Sequence, residues 1–93
     1  MRLTLILYQL YLPTCHSLKD KRSVVKGFKE SLRNKLNVSV AEVEHQDKWQ
    51  RSTIAVAWVS ADSSGIDKTM DVIDKMIGTR NEIQLLRVER HDY

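Results

Sequence analysis

Seven consecutive residues, His45 to Arg51 (HQDKWQR), bring an imidazole, a carboxylate, two carboxamides, an ammonium, an indole and a guanidinium into one short stretch. If the chain stays extended there, His45 and Asp47 share a side while Gln46 points away, and a carboxylate at that spacing can orient an imidazole as a general base. A base needs a nucleophile. The one thiol, Cys15, adjoins His16 in sequence, but adjacency is not geometry and no elbow motif surrounds it. No triad is defined, and the plainer role for His45 is a hydrogen bond at a strand end. The candidate metal donors are Cys15, His16, His45, Asp47, His91 and Asp92. They show no CxxC, HxxxH or EF-hand spacing, and Cys15-His16 could meet His91-Asp92 only if a loop and a terminus converge. The expectation is a protein without catalytic residues, metal or cofactor.

The same stretch suits recognition better. Trp49 is the natural anchor, with His45, Asp47, Gln50 and Arg51 around it, because tryptophan and arginine dominate interface hot spots. The indole is expected to fold back, partly buried, onto the sheet edge, with its neighbours as either a hairpin lock or a partner-facing rim.

A second cluster is electrostatic. The chain has 93 residues and a net charge of +3, which is mildly basic for a polyanion binder. Its distribution says more than its sum. Between Ser17 and Asn37 seven cations face two anions, a net +5, so the remainder carries −2. Lys19, Arg22, Lys26, Lys29 and Arg33 follow steps of 3, 4, 3 and 4. At helical periodicity all five lie within about 80° of one another. Such a stripe can track phosphates along an RNA backbone. It can also be a solvated face whose long cationic side chains cover the core's edge. Like charges at these spacings lower helix stability, so solubility alone does not explain them well.

These residues need elements to hold them. Residues 2–12 read as a strand with apolar faces on both sides, hence a central one, ended by Pro13. Ser17 caps a helix over 18–36, with Asp20 completing an approximate capping box. Leu18, Val25, Phe28, Leu32 and Leu36 form its buried stripe. Gly27 interrupts its interior, and Asn37 is a candidate left-handed stop. Strands follow at 38–46 and 52–61, joined as a hairpin. Ser63 or Ser64 caps a helix over 65–77, buried through Ile66, Met70, Ile73 and Ile77 and closed by Gly78. A last strand covers 82–90, with Leu85, Leu86 and Val88 central.

The order β-α-β-β-α-β predicts one ferredoxin-like α+β domain over 1–93, an antiparallel sheet of four strands with both helices on one face. Its central strands would be the first and third. The uncovered face would carry Tyr8, Leu10 and Trp58, or their neighbours, and an apolar sheet of that kind is expected to be covered by a second copy, a peptide or a ligand. A homodimer is the expectation that follows. RNA binding by base stacking on the sheet is a poor fit, since the third strand (TIAVAWVSA) lacks the aromatic consensus such sheets use. The apolar N-terminal run is too short to cross a bilayer, and a single cysteine fits a cytoplasmic chain without disulfides.

LPTCHSLKDKRSVVK, together with LNVSVAEVEHQDKWQRSTIAVAWVSAD, resembles the YlxP-like family of small bacterial proteins of unknown function over nearly the whole chain. The most specific strings are Ser17 to Arg22, Asn37 to Glu42 and His45 to Arg51. Asp20 stands where the family commonly has glutamate, and a glycine usual after Leu12-Pro13 is missing. The resemblance implies a ferredoxin-like fold and offers no catalytic residue. Family genes often neighbour those of translation and ribosome-maturation factors, which implies RNA or a ribosome-associated protein as partner.

Overall fold

A computed structural model describes all residues from Met1 to Tyr93. Six elements follow in order: β1 (Arg2–Tyr11), α1 (Leu18–Lys35), β2 (Ser39–Glu44), β3 (Arg51–Ser60), α2 (Ser63–Gly78) and β4 (Gln84–Asp92). The four strands form one antiparallel sheet in the order β2-β3-β1-β4. The central pair is in register along its length, from Arg2 opposite Ser60 to Tyr11 opposite Arg51.

Strand alternation sorts β1 into two rows. Thr4, Ile6, Tyr8, Leu10 and Leu12 are buried, whereas Leu3, Leu5, Leu7 and Gln9 are not. In β3, Ile54, Val56 and Trp58 join the buried row. These side chains pack against Val25, Phe28 and Leu32 of α1 and Ile66, Ile73 and Ile77 of α2 in one core cluster. Tyr8, Leu10 and Trp58 therefore lie beneath the helices, at 0%, 0% and 6% exposure. The expected face is reversed. Both rows of β1 are apolar, so period alone could not choose between them. The helices cover the row with the larger residues, and the neighbours Leu3, Leu5 and Leu7 take the open side.

The ends of elements differ in detail from expectation. Ser17 caps α1 and accepts a bond from the Asp20 amide at 3.0 Å, while the Asp20 carboxylate reaches back to the His16 amide at 3.0 Å. Asn37 is not left-handed: α1 ends on Leu36 in an extended conformation, and the one non-glycine residue with positive φ is His45. The cap of α2 is Asp62, accepting from the Gly65 amide at 3.1 Å, and Gly78 is the last helical residue, with Thr79 as the C-cap. Leu85, Leu86 and Val88 lie on edge strand β4 and are 40–51% exposed. No helix is long and apolar enough to cross a membrane.

Candidate functional site

The basic stripe stands on α1, a helix capped by Ser17, with Asp20 in its first turn and Arg33 and Lys35 in its last carrying the signs that suit the helix dipole. Lys19, Arg22, Lys26 and Arg33 are exposed and Lys29 is half-buried. None of the five is within ion-pair distance of a carboxylate, since every ion pair in the protein uses other cations. Arg33 is partly engaged, donating to the Val40 carbonyl at 2.9 Å, so it also ties α1 to the sheet edge. The other four ammonium and guanidinium groups are free to meet an external anion.

The hairpin cluster is organised by a residue that spacing did not single out as a site. Lys21 is 1% exposed. Its Nζ sits 2.8 Å from Glu42 Oε2 and donates to the His45 carbonyl. Glu42 also accepts from Ser52 Oγ at 2.7 Å. A buried ammonium is tolerated only where its hydrogens find acceptors. Here a carboxylate and a main-chain oxygen supply them. The signal was present in the sequence: Lys21 lies four and seven residues before Val25 and Phe28, on the stripe of α1 that faces the sheet.

His45 follows the end of β2, just past an irregularity between Glu42 and Glu44, and takes φ = 64°. That left-handed turn removes the extended geometry on which a His45–Asp47 pair depends. Nδ1 of His45 instead lies 3.0 Å from Thr53 Oγ1, and the His45 carbonyl accepts the Lys48 amide at 3.1 Å to close the tip. Gln50 donates its carboxamide to the Pro13 carbonyl at 3.2 Å, and its own carbonyl accepts the Leu12 amide at 2.9 Å. His45 and Gln50 thus lock the hairpin to its surroundings. Trp49 is 54% exposed and borders an open groove of about 320 Å³ with Asp47, Lys48, Gln50 and Arg51. The structure brings the strings 12–22 and 42–53 together at one end of the molecule, through Lys21, Gln50 and the Leu12 amide.

Cys15 is buried, and burial, then the nearby Asp20 and Glu82 carboxylates, push its thiol above the usual range. The imidazole of His91 belongs to β4, 3.1 Å from Glu89, opposite Leu5. Cys15 and His91 therefore do not converge, and no group of three His, Cys, Asp or Glu side chains gathers anywhere. A larger polar groove of about 500 Å³ opens between the helices at Ser31, Asn34, Lys35, Met76, Thr79 and Arg80. Arg80 is already committed there: it bonds Ser31 Oγ at 2.6 Å, pairs with Glu82 at 3.3 Å and lies over the Phe28 ring at 5.6 Å.

A model of the family described as protein of unknown function (DUF503) matches residues 3–90. Among curated proteins, the uncharacterised protein YlxP of Bacillus subtilis (strain 168) is 37% identical over 68 residues, which span 73% of this chain and 74% of that protein.

Proposed function

The chain belongs to the DUF503 family of proteins of unknown function, and from that premise we propose that it is a non-enzymatic module that binds structured RNA through α1. The observation that supports this reading is the stripe Lys19, Arg22, Lys26, Lys29 and Arg33, which no carboxylate neutralises. Five unneutralised cations on one helix face repel one another, and contact with a polyanion offsets that repulsion. The sheet is not the RNA surface in this reading, because the aromatics able to stack bases, Tyr8 and Trp58, are buried under the helices.

The test is a fluorescence-anisotropy titration of fragmented ribosomal RNA against salt. With Lys19, Arg22 and Lys26 each changed to Glu, affinity should fall at least about tenfold and the salt slope should drop by about two to three. Unchanged affinity in that variant sinks the proposal. The exposed Trp49 beside its groove favours a second reading, a ribosome-associated protein as partner. A pull-down from extract separates the two: nuclease treatment strips an RNA-mediated partner and leaves one held by Trp49, Gln50 and Arg51.

A further inference from the structure

We infer that the open face of the sheet is the interface between two copies of this chain, stacked face to face with the leucine row of β1 over the alanine row of β3. This inference does not rest on RNA binding, since α1 and the open face lie on opposite sides of the sheet.

The face has a definite relief. Leu3, Leu5 and Leu7 of β1 form a ridge. Directly beside them in register stand Val59, Ala57 and Ala55 of β3, two of them too small to fill their half of the surface. Leu3 is 40% exposed and Val59 64% exposed. A ridge beside a trough is self-complementary. A two-fold axis parallel to the strands, between β1 and β3, turns each β1 over the partner's β3 at the same height. Leu5 then sits on Ala57 of the partner subunit, Leu7 on Ala55 of the partner subunit, and Leu3 on Val59 of the partner subunit. This is the isologous arrangement expected of a closed dimer, adjusted by the roughly 30° set by sheet twist.

Charge and area agree with it. The polar side chains nearest the ridge, Arg87, Glu89 and His91, belong to edge strand β4, where Glu89 meets Arg87 at 3.3 Å and the His91 imidazole at 3.1 Å. The same axis carries that strand over the partner's β2, not over another copy of itself, so like charges do not meet. Strands of 10, 6, 10 and 9 residues spaced at ~4.8 Å present roughly 550 Å² per face, so two copies bury about 1,100 Å², just above the roughly 1,000 Å² that a specific interface should clear. The centre of this face is an apolar ridge and trough with no deep cavity between them, which suits neither a small ligand nor a polyanion.

Sedimentation equilibrium tests the inference on the full chain, from low micromolar to about 0.5 mM, the range that captures ordinary homodimer affinities. The expected result is a monomer–dimer equilibrium. V59K alters a mostly solvent-exposed side chain, so the monomer keeps its far-UV circular dichroism, yet the dimer dissociation constant should rise at least about tenfold. L5A and A57L should each weaken the dimer, and the double exchange L5A/A57L should recover affinity, because leucine again faces alanine. A strict monomer at the highest concentration overturns the inference. So does a dimer that V59K leaves unchanged, whether it forms through an edge strand or a helix.

Discussion

Lys21 is the residue on which the hairpin depends. Changing it to Met leaves Glu42, itself 17% exposed, without its counter-charge and the His45 carbonyl without its ammonium donor. Urea denaturation should show a loss of about 3 kcal/mol, and the double variant K21M/E42Q should regain part of it, because the unpaired charge is the costly element. Tyr8 makes the opposite prediction. Its hydroxyl is buried with no hydrogen-bond partner in the protein, and burial together with the Asp74 carboxylate drives its ionisation well above the usual tyrosine range. Tyr8→Phe should therefore be neutral or stabilise by up to about 1 kcal/mol in the same assay. Neither role could be read from residue type. The sequence placed Lys21 among seven cations, and only its helical phase, shared with Val25 and Phe28, marked it as inward. His45 was legible as a hydrogen-bonding strand-end residue, whereas its left-handed backbone was not, because that conformation favours asparagine or glycine and here is imposed by tertiary contacts.

Among the elements, α1 carries two opposed features. Gly27 lies in its interior, and a methyl group there would meet nothing within 4 Å. Gly27→Ala should raise stability by about 0.5–1 kcal/mol, since no close approach requires the glycine. Lys26→Glu should also stabilise, by a few tenths of a kcal/mol at low salt, by relieving repulsion along the stripe, while weakening RNA binding. A helix stabilised by the change that harms binding is the pattern expected of charge kept for function. In α2 the Asp62 cap is held below the usual carboxylate range, chiefly by the Ser64 hydroxyl and then the Gly65 amide. A carboxylate depressed in the folded state contributes stability that is present above its unfolded pKa of about 3.9 and is lost as pH falls through the folded value. Asp62→Asn keeps an accepting oxygen at the cap, so its thermal midpoint should trail the natural protein near neutrality and the gap should close on acidification. Helix and strand identities were legible from periodicity. The cap was not, because Asp62, Ser63 and Ser64 are all competent N-caps and the choice among them rests on how the chain leaves β3.

At the scale of the whole molecule, element order was enough to predict which strands are central, because two crossovers around a hairpin leave few topologies. Which side of those strands the helices cover was not determined, since Leu3, Leu5 and Leu7 are as apolar as Ile6, Tyr8 and Leu10. Strands β1, β2 and β3 and both helices contribute to one core cluster, and β4 is paired along the edge of β1. Unfolding should accordingly be a single transition: tryptophan fluorescence, reporting buried Trp58 and hairpin Trp49, should coincide with far-UV circular dichroism across the denaturant curve. Two separated transitions would show that the hairpin end melts on its own. The manner in which that end is held has one more consequence. Lys21 grips the main-chain oxygen of His45, and an oxygen of the backbone is present whatever side chain follows it. Substitutions at Gln46, Asp47 and Lys48 should therefore change what the turn displays and leave intact the clasp that holds it in place.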